Sequence, residues 1–496
     1  MAGYNSIGSY NATSVIPQFK GLMQYGDGIN GNPCYAVEAR NVETKGGVLQ
    51  PAAACELLAP QLTAPIETLA RLYRRWYTGL DNKEVLVAAS GGKLYYMLPG
   101  ALAWTQLAMP TGVSSYTSNR WSWVSYEINP EGSDTSVDVL LLSNAVDGMV
   151  MVRGDNLTAS LVDTPKKFGV IERYAERIWG GAITDDPDML VYSAPYDPTD
   201  WEANAEHPED GAGDITQPSW DGDSFTALRA FGNQLIAFKR NRVWRILGTD
   251  PGEYTFKEQY GGGAAYEGTI AVDNEQILML NARGPEAYDG LSVTPFQQEY
   301  CRDVWNRMNP NKVAGAAAVL WHNKYYCAIP LGNSQINNAV VIYNPMDGTW
   351  LLRDDLSIER FLGTEDKLYF TSSTTPGRIW LWKEDSWEVG STSAPAKWVT
   401  PWNDLGSKSL SEGGFDIYIL CEVKEPVQFK VSLETEKRVK TKMRIISPPA
   451  VGEQRQTRIH FNGYGRRFRL IFETDANTPQ WRLISGVLIA MDIEGD

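Results

Sequence analysis

The sequence predicts an all-β fold: a β-propeller of about seven blades, with a range of six to eight, followed by a carboxy-terminal β-sandwich-like domain. Three observations predict it. Short apolar runs rich in branched and aromatic residues recur in pairs closed by Gly, Pro, Asn or Asp, the mark of strands joined by tight turns. The pairs begin at residues 83, 138, 177, 234, 276, 324 and 367, a mean step of about 47 residues, close to the ~40–50 of propeller blades. Apolar residues also fall on both faces of each run, so each hairpin needs cover on two sides, and a stack of such sheets closed into a ring leaves no face bare.

The unit is plainest at 221–260. Leu235, Ile236, Ala237 and Phe238 form one run, Arg240 and Asn241 break it, and Val243, Trp244, Ile246 and Leu247 form the next before Gly248 and Pro251 end the unit. The other copies are KEVLVAASGGKLYYML at 83–98, DVLLLSNAVDGMVMVR at 138–153, RIWGGAITDDPDMLVYS at 177–193, QILMLNARGPEAYDG at 276–290, KYYCAIP with NNAVVIYNPMDGTWLL within 324–352, and KLYFTSSTTPGRIWLW at 367–382. Trp179, Trp244, Trp350 and Trp380 each follow the apolar side of a hairpin and are expected to be buried between blades.

Three regions follow in order. Residues 1–32, rich in Gly, Asn and Ser, read as an extended or mobile amino-terminal arm, either one that orders on a partner or a loose terminus. The propeller is placed at 33–390, with Gly46 and Gly47 separating two strand-like pieces ahead of the first blade and a polar, acidic loop at 203–223 on the rim. A Ser, Pro and Gly linker at 383–398 opens the carboxy-terminal β domain, 391–496, whose short segments alternate apolar and polar residues as half-exposed strands do.

Charge excludes one class of function. With 45 Lys and Arg against 60 Asp and Glu the formal charge is −15, the wrong sign for a surface that grips nucleic acid. The imbalance is uneven along the chain. Between Glu422 and Leu470 there are 12 Lys and Arg against five Asp and Glu, with Lys437, Arg438, Lys440, Lys442, Arg444, Arg466, Arg467 and Arg469 crowding two strand regions. The five cysteines, Cys34, Cys55, Cys301, Cys327 and Cys421, are scattered and odd in number, and read as reduced core thiols without a structural disulfide. The amino terminus lacks the basic start and apolar core of a secretion signal, and no apolar run approaches the ~18 residues of a membrane span. Folding in a cytoplasm without membrane insertion is the expectation.

No enzyme signature emerges: the expected catalytic, cofactor-binding and metal-ligating residues are none, and no cofactor is expected. His207, His322 and His460 lie far apart with no second ligand at metal spacing. No Gly-x-Ser-x-Gly elbow occurs. Asp185, Asp186 and Asp188 lack the ligand alternation and far Glu of a calcium loop and read as a solvated turn. YGGGAAYEG at 260–268 is not followed by a phosphate-cradling Lys on a helix. NPMDGTW at 344–350 carries half of the pattern of a kelch turn or sialidase Asp-box, and Asp347, Gly348 and Trp350 explain it as a turn with a buried aromatic. A glycosidase would need two carboxylates ~5–9.5 Å apart at the ring's centre, and the sequence singles out no pair.

Two motifs carry a family resemblance. IERYAERIWGGAITDDPDMLVYSAPYDPTDWE at 171–202, with Arg177, Trp179, Tyr192, Ser193, Asp197, Pro198 and Trp201, is followed by DSFTALRAFGNQLIAFKRNRVWRILG at 223–248. In that order and spacing they resemble the central blades of tail-hub, or nozzle, β-propeller proteins of short-tailed bacteriophages, a family that includes packaged-DNA stabilisation proteins. The basic strand text GYGRRFRLIF and the last apolar strand, SGVLIAMDIE, are similar to the end of that family; the amino-terminal arm is not matched. The resemblance implies a structural virion protein assembled in the host cytoplasm. It further implies a ring of identical subunits, expected to be six, below the portal and adaptor, forming the DNA exit channel and carrying tail fibres or a needle. Its partners would be itself, the adaptor or other head-to-tail proteins, the fibres or needle, and DNA that passes without specific binding. On that reading the acidic surplus lines the DNA path and the basic strands face a neighbouring subunit or tail protein. The alternatives are a propeller-type surface protein that binds or hydrolyses glycans, and a kelch-like cellular scaffold.

Overall fold

A computed structural model of the chain describes residues 9–24, 31–77, 83–130, 135–218, 222–259, 261–384, 387–388, 390, 392–404, 411–449, 456–465, 467–484 and 487–494. Its main body is a β-propeller. Seven antiparallel meanders follow one another, and their first strands are Ile66–Tyr73, Ser122–Ile128, Val170–Tyr174, Ala227–Phe231, Ala271–Val272, Ala317–Trp321 and Ile358–Gly363. These strands are innermost: those of blades seven, one, two, three and four touch in succession, as do those of five, six and seven. The hairpins read from the sequence are the middle strands of the blades, and in blade six the reading at 324–352 also takes in the fourth strand, Thr349–Arg353.

Strict alternation explains why both faces had to be apolar. In the second blade, Leu140 and Leu142 pack on the first blade while Val139 and Leu141 pack on the third. In the fourth, Leu235 and Ala237 face the third blade while Ile236 and Phe238 face the fifth. Trp179, Trp244 and Trp350 are buried, whereas Trp380 is half-buried and stacks on Phe370. The turns of blades two and six share one chemistry: Asn144 and Asn344 each donate from Nδ2 to the Asp three residues on, at 3.1 and 2.7 Å, and accept a backbone N–H two residues on. Gly148 and Gly348 follow with φ of 98° and 61°, a left-handed position that glycine occupies without cost. NPMDGTW is thus the turn of blade six.

The ring is closed by an earlier segment. Blade seven has three strands of its own, and its fourth is Cys55–Gln61, antiparallel to Arg378–Trp382 with Trp382 opposite Cys55.

The expected start of the propeller at residue 33 is corrected by this pairing, for the ring begins at Cys55. The strands Glu38–Arg40, Val42–Lys45 and Val48–Pro51 belong to sheets shared with the carboxy-terminal region. Glu38–Arg40 lies between Thr349–Arg353 of blade six and Ala396–Val399, and the ladder continues through Phe468–Thr474 and Val427–Thr435 to Val439–Ile446. Blade six and the carboxy-terminal strands are therefore one nine-stranded sheet. A second sheet holds Ser9–Ile16, Val487–Glu494, Ser411–Val423, Trp481–Leu483 and the hairpin at Val42–Lys45 and Val48–Pro51, with Gln456–Gly465 on Ser411–Val423. The two sheets pack through Phe415, Ile417, Phe461, Phe429, Leu470 and Phe472, with Phe415 5.3 Å from Phe468 and Phe429 4.9 Å from Trp481. The supposed linker contains the strand Ala396–Val399.

The described part of the amino-terminal arm is likewise not loose. Ser9–Ile16 pairs along its length with Val487–Glu494, Phe19 is buried edge-on against Trp398 at 5.5 Å, and Leu22 N–H donates to the Trp350 carbonyl. Residues 1–8 and 25–30 of the arm lie outside the described residues. The joint where these segments meet blade six is clamped by a buried arginine. Arg353 grips Asp355 through Nε and Nη2 at 3.0 and 2.6 Å, donates to the Ala53 carbonyl at 2.8 Å and lies over the Trp382 ring.

Candidate functional site: the polar centre and two charged faces

The first strands bring a polar cluster to the middle of the ring. Arg229 of blade four donates from Nη1 to Glu267 Oε1 at 2.9 Å and reaches Glu172 Oε2 of blade three at 3.5 Å. The hydroxyl of Ser122, in blade two, donates to Glu267 at 2.8 Å and accepts the backbone N–H of Ile171 at 3.0 Å. One cluster thus joins blades two to four and the turn that leads into blade five. Burial, opposed by Arg229 and reinforced by Glu267, pushes the Glu172 carboxyl up to about 7. Across the ring Arg360 of blade seven donates to the Glu67 carbonyl of blade one, and Tyr266 lies between Arg120 and Arg360, 5.9 and 5.6 Å from their guanidinium carbons.

The cleft so lined holds about 540 Å³, the size of a small-molecule pocket. The centre is not an acidic lane, since Glu67, Glu172 and Glu267 are set against Arg229 and Arg360. The two carboxylates that share Arg229 are the pair the sequence did not single out. Their acceptor oxygens are no further apart than the sum of the two distances to Nη1, but Arg229 stands between them, where a glycosidic oxygen would have to lie.

Outside the centre, charge is concentrated on two faces. The first is the rim loop of blade three, where Asp200, Glu202, Glu206, Glu209, Asp210 and Asp214 are all exposed. The loop is held from beneath by Arg177, buried at 1% exposure, which donates to the carbonyls of Ser193 at 2.8 Å, Gly211 at 2.6 Å and Glu209. Arg177, the first residue of the strand Arg177–Gly181, is thus a loop clamp. The second face is Val439–Ile446, the last strand of the nine-stranded sheet, flanked and occupied by exposed Lys437, Arg438 and Arg444. Lys440 donates to the Asn462 carbonyl and Lys442 lies over Phe461, so these two span the gap between the two sheets. Arg469 is paired with Glu434 at 2.7 Å; Arg467 is exposed, and Arg466 lies outside the described residues.

The remaining candidates are dispersed. His322 contacts Glu384 and His460 contacts Asp416, while His207 sits beside Glu209 and Asp210 in an exposed cluster. Asp186 pairs with Lys166 and Asp188 with Lys239, so DDPD is a turn used for ion pairs. The five cysteines are free; burial raises the thiols of Cys55 to about 11 and Cys327 to about 12, and those of Cys301 and Cys421 upward as well. Among the described residues no helix is long and apolar enough to cross a membrane.

No family model and no curated protein sequence matches the chain. Among solved structures it is similar to the WD40 domain of Pan2 from Neurospora crassa, at 9% identity and TM-score 0.37, over 67% of this chain and 97% of that one. It is also similar to PorZ, a surface component of the type-IX secretion system of Porphyromonas gingivalis, at 10% identity and TM-score 0.38, over 78% of this chain and 46% of that one. Both scores are low, and the propeller rests on the strand pairing described above.

Proposed function

We propose that this chain is a structural subunit of a short-tailed bacteriophage tail: a seven-bladed propeller with a sandwich-like carboxy-terminal module, assembled in the host cytoplasm into a hub or nozzle ring. Six copies sit below the portal and adaptor, enclose the DNA exit path between them, and carry fibres or a needle. The observation that carries this reading is the placing of opposite charges on separate faces of a rigid frame, one clamped by Arg177 and the other ending a sheet continuous with blade six. Such a body suits repeated contact with its own kind. On this reading the DNA path lies between subunits. Mass photometry and cryo-electron microscopy of the purified chain at low salt test it: closed rings are expected, and labelled antibody should mark the tail of the virion. A chain that stays monomeric at every concentration, or that is absent from virions, overturns the reading.

A second reading, a surface protein that binds or hydrolyses glycans, draws on one observation, the Glu172 and Glu267 pair in an aromatic-lined centre. Glycan turnover abolished by Glu172→Gln would favour it.

A further inference from the structure

The carboxy-terminal module ends in a sheet edge that the described chain leaves open. Val439–Ile446 pairs with Val427–Thr435 on one side, from Ile446 opposite Val427 to Val439 opposite Glu434, and among the described residues no strand pairs with its other side. Proteins usually blunt such an edge with charge, a bulge or a cover, because its unpaired N–H and C=O groups invite another chain. Charge is present here, but so is an apolar stripe: Val439, Met443 and Ile445 are 55%, 54% and 67% exposed. Odd positions share one face of a strand, so Met443 and Ile445 are neighbours on it and Val439 lies on the same face beyond Thr441. An edge that only repelled neighbours would not carry it.

We propose that this edge docks the 200–214 loop of a second copy of this chain. Charge complementarity chooses the occupant. Residues 437–444 present Lys437, Arg438 and Arg444 as exposed bases and contain no acid, while 200–214 contain six Asp and Glu and no Lys or Arg. The loop is preorganised, since Arg177 holds its backbone through the Glu209 and Gly211 carbonyls, so little ordering entropy opposes docking. Tyr196, 72% exposed at the foot of the same loop, supplies an apolar surface for the Val439, Met443 and Ile445 stripe. On the ring reading the contact is heterologous: each copy offers its loop to one neighbour and its edge to another, and the series closes into a ring or runs on as a filament. The inference rests on the ring reading above and names the contact that would build it.

The test uses the full chain and two charge-reversed variants, followed by sedimentation and native mass spectrometry. One variant carries Glu206→Lys, Glu209→Lys and Asp210→Lys; the other carries Lys437→Glu, Arg438→Glu and Arg444→Glu. Each should melt as the parent does and self-associate at least ~10-fold more weakly. The two mixed in equal amounts should assemble again, because a basic loop then meets an acidic edge and an acidic loop meets a basic one. If either triple variant melts early, the single changes Glu206→Lys and Arg444→Glu replace it, with the same mixing readout. Rings that persist in both variants overturn the contact and leave the ring reading standing. Variants that fail to assemble alone and also fail when mixed overturn the contact. A parent chain that never assembles overturns both.

Discussion

Lys239 of blade four, with its side chain wholly buried, donates to Asp188 of blade three. The ammonium also lies 5.1 and 5.3 Å from the ring centres of Phe225 and Trp244, so an ion pair is enclosed by aromatic walls at a blade interface. Removing the Asp188 carboxylate takes a charged hydrogen-bond partner from a buried ammonium. Asp188→Ala should lower stability by about 1.5–3 kcal/mol in denaturant unfolding. A single variant as stable as the parent would show that the pair does not brace the interface.

Trp244 lies in the same interface, with Phe225 5.9 Å away, and shares its core with Trp179. Trp244→Ala should lower stability by about 3–5 kcal/mol through the cavity it leaves. An unchanged melting curve would refute stacking at that position.

Stability should fall as the solution passes from mildly acidic to neutral. Glu172 titrates at 4.5 as a free group and at about 7 in the fold, so the folded chain holds this proton more tightly than the unfolded one. The linked stability is complete below the lower value and is lost as pH rises through the upper one. Glu172→Gln should therefore flatten that part of the curve, read as urea midpoints at a series of pH values. A mutant curve parallel to the parent's would assign the pH dependence elsewhere.

Purified protein should hydrolyse neither polysaccharide nor peptide. Both carboxylates of the central pair are engaged by Arg229, and the Ser122 hydroxyl beside them is itself tied to Glu267 and to the Ile171 N–H. Turnover lost on changing Glu172 or Glu267 would make the chain an enzyme.

The blades were legible because each hairpin is apolar on both faces and carries its own turn: Leu235 to Leu247 is readable without knowing what lies on either side. What escaped was pairing between segments far apart in sequence. Glu38–Arg40 offers three residues with no visible period, and its partners lie beyond residue 348. Ser9–Ile16 is mostly polar because it is one strand beside Val487–Glu494, not a hairpin with its own core. The centre was equally hidden: Ser122, Glu172, Arg229 and Glu267 come one from each of four successive units, and no spacing rule joins residues that only ring closure assembles. A charged residue in the middle of an innermost strand, as at Glu172 and Arg229, was the available signal. Charge segregation, by contrast, was visible, since single-sign stretches stay visible whatever the fold.

Ring closure by Cys55–Gln61 sets a timetable for synthesis. The strand leaves the ribosome early, yet its partner, Arg378–Trp382, follows more than three hundred residues later. At ~5–20 residues per second, the nascent chain waits roughly tens of seconds with the latch unpaired and the growing arc of blades open at both ends. Ser9–Ile16 waits longer, until Val487–Glu494 emerges. During that interval the exposed blade faces and strand edges are available to a neighbouring nascent chain, so low temperature, slow initiation or a holding chaperone should favour the soluble product over aggregates.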